Sequence, residues 1–317
     1  MPRADFAAVP LPNGQVLLIG GQTSASADTA TVDVFNPATK KISAATPMKT
    51  ARSGLTATLL QNGKVLVVGG SATPGGSPLT SAEIYDPAAN TWTAAASMTR
   101  GRAHQAAVLL PNGRVLVAGG AVEPPGVSPA VWEVYDQGSN TWTSFEGGDA
   151  RPDGPTATLL NDGRVLVDGG QTGTPPLDAF FDSTTARVIL TPVPMLDESK
   201  IWATSALLGN GTVITAGGES SASPGGSLSS TEVFDPTPGT SSALGMWLLG
   251  PAMNTGHSHD SMTALKNGLV LIAGGRAGTQ DPISVAELYD SVARRWWPAA
   301  SLQLARGAHV AALLADG

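Results

Sequence analysis

The sequence predicts an all-β repeat protein, and three observations carry that reading. A glycine doublet returns six times, at Gly20-Gly21, Gly69-Gly70, Gly119-Gly120, Gly169-Gly170, Gly217-Gly218 and Gly274-Gly275. The steps are about 50 residues, the last a little longer, and a fixed period of that length marks a repeat architecture. An Asn-Gly or Asp-Gly pair precedes each doublet, at Asn13, Asn62, Asn112, Asp162, Asn210 and Asn267, and recurs at Asp316. Composition agrees: 38 Gly and 24 Pro with only 14% charged residues suit many short strands joined by turns. No stretch shows helical periodicity.

Each repeat resolves into four strands. Strand a is a short apolar run such as residues 55–60 or 106–110. The Asn-Gly turn follows, because a type I′ turn needs positive φ at both central residues. Strand b is the apolar run ending at the doublet, as in Val65-Leu66-Val67-Val68-Gly69-Gly70. Strand c carries an acid, one residue, an aromatic, then Asp or Asn: Asp33-Val34-Phe35-Asn36, Glu83-Ile84-Tyr85-Asp86, Glu133-Val134-Tyr135-Asp136, Glu232-Val233-Phe234-Asp235 and Glu287-Leu288-Tyr289-Asp290. Pro37, Pro87 and Pro236 follow three of these, where a strand ends in a turn. Strand d places Trp92, Trp142 and Trp296 seven positions after the aromatic; Ile42 and Val188 fill the slot in repeats one and four, and Trp247 is the counterpart in repeat five. One such sheet cannot bury both faces alone, and radial packing of copies buries them against each other.

The doublet, the tyrosine and the spaced tryptophan resemble the Kelch repeat, and the resemblance covers essentially the whole chain. It implies an all-β Kelch-type β-propeller: one domain over residues 1–317, with repeats at about 3–50, 51–100, 101–149, 150–198, 199–255 and 256–304. Six four-stranded blades are expected. The alternative is seven with an incomplete seventh, because residues 306–317 repeat the text of residues 102–113 and make a surplus strand a within 305–317. That strand either belongs to a further blade or competes with residues 3–11 for the inner position of the first.

The net charge of −7 argues against nucleic acid as a partner. No apolar run approaches a membrane span. The opening Met1-Pro2-Arg3-Ala4-Asp5-Phe6 lies inside the first repeat and does not read as a signal peptide. Zero Cys excludes disulfides and thiolate metal sites.

Strand direction puts the a–b and c–d turns on one side and the b–c loops and d–a links on the other. The second side has the longer Pro, Gly and Ser-rich loops, and binding usually resides on such loops over a rigid scaffold. A mostly basic slot opens strand a there: Arg3, Arg52, Arg102, Lys200, His257 and Arg306, with Arg151 shifted by one residue. Such cations attract carboxylates, sulfates or acidic side chains. Equally, each can pair with the strand-c acid of its own repeat; repeat four has Ala179 in place of the acid, which leaves Arg151 the best ligand candidate. His257 and His259 flank Ser258, and strand alternation puts both on one side. Trp202, Asp153, Asp197, Glu198 and Asp168 break the repeat pattern, and the residues after the doublets (Gln22, Ser71, Ala121, Gln171, Glu219 and Arg276) form a rim on the same face.

The leading expectation is a non-catalytic interaction scaffold without cofactor or metal. Its ligand is a protein segment or a carbohydrate, anionic ligands included, held by Arg52, Arg102, Arg151, Lys200, Trp202, His257, His259, Glu219 and Arg276. The surplus C-terminal strand offers a route to self-association. Resemblance to Kelch-like enzymes adds an alternative, a channel-site enzyme of the sialic acid mutarotase type; a copper radical oxidase needs a Tyr cross-linked to Cys and is excluded. A structural segment of a larger repeat protein is the third reading.

Overall fold

The computed structural model describes residues 3–24, 27–123, 130–148, 151, 154–170, 177–194, 200–220, 223–237, 244–278 and 281–314. The described residues contain six four-stranded antiparallel sheets and no helix, so none is long and apolar enough to cross a membrane. In every sheet the strands lie in chain order a, b, c, d. The second sheet is typical: Thr56–Leu59, Val65–Val68, Ala82–Asp86 and Thr91–Ala95. Its register pairs Leu59 with Val65 across the Asn62-Gly63 turn, and Tyr85 with Trp92 across the outer hairpin.

The chain divides into two compact units, Met1–Glu146 with Ala312–Gly317, and Gly147–Ala311. In the first unit, strand b of the second sheet is buried on both faces. Val65 and Val67 join a core with Leu17, Ile19 and Met48 of the first repeat. Leu66 and Val68 point the other way and join Val115, Val117 and Tyr135 of the third. The period-two alternation of a strand therefore puts one sheet into two cores, which is why strand b reads as a continuous apolar run. The second unit repeats the arrangement: Leu166 and Phe180 pack with Val213, Phe234 and Trp247, while Ile214 and Ala216 pack with Val270, Ile272, Tyr289 and Trp296.

The spaced aromatics pack against each other, tilted, within four of the six sheets. Ring centroids lie 4.9 Å apart in Tyr85–Trp92, 5.1 Å in Tyr135–Trp142 and Tyr289–Trp296, and 5.3 Å in Phe234–Trp247. Phe35 pairs with Ile42 and Phe181 with Val188 in the same register. The Trp also reaches the preceding repeat: Trp92 Nε1 donates to Thr46 O at 2.8 Å, and Trp142 Nε1 to Ala96 O at 2.8 Å. Asn90 and Asn140, two residues before these Trp, accept from the Thr46 and Ala96 amides at 2.9 Å each and from Tyr85 and Tyr135 hydroxyls. Both Asn sit at φ 52°, a conformation Asn tolerates.

The doublet is a docking point between repeats. Gly21, Gly70, Gly170, Gly218 and Gly275 each donate an amide proton to the carbonyl of the basic slot in the following repeat, at 2.7–2.8 Å. The expected strand a at the C-terminus is not formed: residues 299–314 contain no strand, and Ala7–Pro10 holds the inner position of the first sheet, with Ala7 opposite Ile19. The turn residues Asp316 and Gly317 lie outside the described residues.

Candidate functional site

On the loop-rich side of five repeats, the segment entering strand a pairs with the segment just after the same repeat's doublet. Gly101–Ala103 pairs with Ala121–Glu123, and Lys200–Ile201 with Glu219–Ser220. Single bridges do the same at Ala4 with Gln22, Ser53 with Ser71, and Ser258 with Arg276. The basic slot and the post-doublet rim are thus adjacent by backbone pairing.

The basic side chains turn inward. Arg52, Arg102, Arg151, Lys200 and His257 are all at most 2% exposed. Arg52 reaches Glu83 at 3.2 Å, Arg102 reaches Glu133 at 3.6 Å, Lys200 reaches Glu232 at 3.0 Å, and His257 Nε2 lies 3.5 Å from Glu287. Arg3 pairs with Asp33 in the same way. The first doublet glycine of the same repeat accepts a second bond: Gly69 O from Arg52 at 2.8 Å, Gly119 O from Arg102 at 2.9 Å, Gly169 O from Arg151 at 2.9 Å, and Gly274 O bonded to His257 Nδ1 at 2.8 Å. Burial works against the charge on Arg52 and Arg102, and the facing Glu83 and Glu133 work for it. Three of the acids also clamp the link that enters their repeat: Glu83 accepts from the Lys49 and Thr50 amides, Glu133 from Thr99 and Arg100, Glu287 from Asn254 and Thr255. Two chain segments and the doublet are therefore held by one buried ion pair. The same buried environment holds Arg151, whose repeat lacks the acid.

Two residues after the basic slot comes a position invisible in the residue types. Asp5, Gly54, His104, Gly154, Trp202, His259 and Ala308 occupy it, and all have φ between 51° and 66°. Side chains here lean on the equivalent residue of the preceding repeat. The His104 ring lies on Gly54, where an added Cβ would come 2.8 Å from it, and Trp202 lies on Gly154. Trp202 stacks on His259 with centroids 4.6 Å apart and an interplanar angle of 21°. Strand alternation therefore does not place the two histidines together: His257 points into its own sheet, while the left-handed turn at His259 sends that ring to Trp202.

In the second unit this stack meets the rim. His259 Nδ1 lies 3.6 Å from Glu219 Oε1, and that oxygen accepts from Ser258 Oγ at 3.2 Å. Glu219 Oε2 accepts the Gly225 amide at 3.1 Å. Ser227 Oγ sits 3.1 Å from Ser258 Oγ and donates to Arg276 O at 2.8 Å. Trp202, His259 and Arg276 are half-buried, and Glu219 is 5% exposed. Of the sequence candidates, the fold brings together Trp202, Glu219 and His259, with the backbone of Arg276 alongside, whereas Arg52, Arg102, Arg151, Lys200 and His257 are taken up inside the sheets. Among the described residues no group of three or more His, Asp or Glu side chains is arranged to hold a metal ion. Asp153, Gln171, Asp197 and Glu198 lie outside the described residues.

Two buried carboxylates sit at the inner strands. Asp168 accepts from Thr156, from Ser205 at 2.9 Å and from Thr215 at 2.6 Å, so hydroxyls rather than an Arg surround it. Asp260 accepts from Thr204 Oγ1 at 2.6 Å, and desolvation raises its pKa to about 6 against the opposing influence of that bond and of His257. Both are inner-strand polar positions that hydropathy alone reads as defects. The turn side carries clefts too. One of about 510 Å³ in the first unit is lined by Asn13, Gln15, Asn36, Pro37 and Leu314; one of about 120 Å³ in the second is lined by Leu208, Asn210, Tyr289 and Arg294. Neither is lined by a carboxylate or a histidine.

Residues 54–99 match the model of the Kelch motif. Among solved structures, the chain is similar to a fungal alcohol oxidase of the AA5 family in complex with copper, with TM-score 0.77 and 18% identity over 96% of this chain and 66% of that one. The chain thus spans just under two thirds of the oxidase. It is also similar to YjhT, with TM-score 0.66 and 15% identity over 95% of this chain and 98% of that one. No curated protein matches in sequence. These likenesses show the fold, an all-β β-propeller of Kelch type.

Proposed function

We propose that this Kelch-repeat propeller is a binding scaffold that takes a carbohydrate at the loop-rich end of its fifth and sixth sheets. The observation that carries the reading is the convergence of Glu219, Ser258 and the stacked Trp202–His259 pair, with the Arg276 backbone carbonyl beside them. Small-molecule sites combine apolar or aromatic surface with a few placed polar groups. A carboxylate, an imidazole, serine hydroxyls and an indole edge within one cluster match the dense donors and acceptors of a sugar. Of the cations that the sequence offers to an anion, Arg52, Arg102 and Lys200 are paired with acids within the sheets, which favours a hydroxyl-rich ligand over an acidic peptide.

The test is calorimetric titration of neutral and acidic mono- and oligosaccharides into the intact chain. Saturable binding is expected, weakened tenfold or more by Glu219→Gln and by Trp202→Ala, about 1.4 kcal/mol or more each. No saturable sugar, or an affinity that both substitutions leave unchanged, overturns the reading. A second reading, a channel-site enzyme, rests on the 3.6 Å approach of Glu219 to His259, since such a pair can carry a proton. Conversion of the bound sugar, abolished by Glu219→Gln, distinguishes it from binding alone.

A further inference from the structure

We propose that the Asp260 side chain is a proton-operated latch between the fifth and sixth repeats, holding the segment that carries Ser258 and His259 more firmly as a carboxylic acid than as a carboxylate. Its bearing on a ligand rests on the carbohydrate reading of that site. Three positions after the basic slot, a side chain packs on the first doublet glycine of the preceding repeat. A Cβ added to that glycine would meet Leu55 Cδ2 at 3.1 Å on Gly20, Gln105 Nε2 at 2.7 Å on Gly69, Asp260 Oδ2 at 3.4 Å on Gly217 and His309 Cε1 at 2.7 Å on Gly274. The polar occupants also reach a hydroxyl of the preceding repeat. Gln105 Nε2 donates to Thr56 Oγ1 at 3.2 Å, Asp260 Oδ1 accepts from Thr204 Oγ1 at 2.6 Å, and His309 Nε2 lies 3.0 Å from Ser261 Oγ. Thr56, Thr204 and Ser261 open their strands in one register, opposite Val68, Ala216 and Ala273. Gln105 and Asp260 therefore occupy one structural slot.

That slot asks for a donor. Gln105 supplies one, because the same Nε2 also donates to Val68 O, the carbonyl just before the doublet, at 2.8 Å. An ionised Asp260 has none to give. Its Oδ2 is buried and has no hydrogen-bond partner among the described residues. A carboxylate oxygen so placed gives up water for nothing, whereas a carboxylic acid brings an O–H, and Ala216 is the slot's counterpart of Val68. Burial raises the Asp260 carboxyl to about 6, against the influence of the Thr204 bond and of His257 on its own segment. Gly217 of the fifth repeat and Gly275 of the sixth bring only backbone against it. Glu287 and Glu219 face the segment through His257, Ser258 and His259, and His309 lies on Gly274 and Ser261. A carboxyl raised on docking contributes stability that is complete below about pH 4 and is lost as pH rises through about 6. Ser258 and His259 directly precede Asp260, so the proton sets how firmly two residues of the candidate site are held.

Amide hydrogen exchange of the intact chain tests the latch without a ligand. The probe is the Gly218 amide, which donates to His257 O across the latched contact; the control is the Gly70 amide, which donates to Arg102 O where Gln105 fills the slot, both at 2.8 Å. Corrected for intrinsic chemistry, Gly218 should lose about tenfold or more of its protection between pH 4.5 and pH 7, while Gly70 changes by less than about twofold. Asp260→Asn, whose amide can accept from Thr204 and donate as Gln105 does, should flatten the Gly218 profile. Gln105→Glu should transfer the step to Gly70. A step shared by both amides of the wild-type chain, no step at all, or a step that Asp260→Asn leaves in place overturns the latch. A saturating sugar should raise Gly218 protection at both pH values and leave Gly70 unchanged, because it binds only the docked segment. A sugar that binds without protecting Gly218 overturns the link between latch and site. Absence of any bound sugar counts against the carbohydrate reading alone, and the ligand-free profiles still decide the latch.

Discussion

Replacing Gly69 by Ala separates two demands that the doublet places on its residue. The first is conformational: φ is +64°, and a left-handed conformation costs an L residue about 1–2 kcal/mol. The second is spatial. An added Cβ would lie 2.5 Å from the Arg102 carbonyl oxygen and 2.7 Å from Gln105 Nε2. The carbonyl is backbone and is already held by the Gly70 amide at 2.8 Å; Gln105 Nε2 bonds Val68 O at 2.8 Å. The methyl group must push the third repeat away and break at least one of these buried bonds, which costs about 1–3 kcal/mol more. Gly63→Ala is the matched control: its φ of +79° carries the first cost, and nothing lies within 4 Å to impose the second. Urea unfolding of both variants reads the difference through the midpoint at constant m. Gly69→Ala should lose about 2–5 kcal/mol and Gly63→Ala about 1–2 kcal/mol, against a total stability on the order of 5–15 kcal/mol. Equal losses within about 0.5 kcal/mol would refute close approach as the reason for the doublet and leave only its φ.

The buried pair of Arg102 and Glu133 should behave as a unit: Arg102→Met or Glu133→Gln alone leaves a desolvated group without its partner and costs about 3–5 kcal/mol, while the double substitution costs clearly less than both together, measured as a double-mutant cycle in urea. Asp260 gives a pH signature. Its carboxyl is raised in the folded protein to about 6 from 3.8, so the folded state holds the proton more tightly, and stability falls as pH rises from about 4 through 6. Asp260→Asn keeps an acceptor for Thr204 and removes that loss. It should melt above wild type at pH 8, by an amount on the order of 3 kcal/mol, with the gap closing by pH 4; a gap of equal size at both pH values would sink the assignment.

Much of the architecture is written in local chemistry. Asn-Gly at the hairpin, the doublet and the Tyr-to-Trp spacing each answer a backbone or pairing requirement within about one repeat, so six copies could be read in order. Trp247 illustrates the point: an insertion separates it from Phe234, yet the two pair in the expected register. The candidate site was legible only as residue types. The basic slot reads as a ring of ligands or as internal ion pairs with equal ease, since both need one cation and one acid per repeat. Burial decides, by placing Arg52 and Arg102 at no more than 2% exposure against their own acids and the doublet carbonyls.

His257 and His259 show where sequence reasoning stops. Two residues apart, they belong on one side of a strand, but a single left-handed residue at φ 52° breaks the alternation and turns His259 onto Trp202. That conformation is imposed by docking on the preceding repeat, and its slot accepts Asp, Gly, His, Trp and Ala alike, so no residue type announces it. The sequence by itself determined the strands, their order and the two-faced burial of strand b, because these depend on period-two alternation and turn chemistry along the chain. Only the tertiary structure decided which polar side chains meet, because Trp202, Glu219 and His259 converge through contacts between repeats, and no spacing along the chain encodes how one repeat is docked on the next.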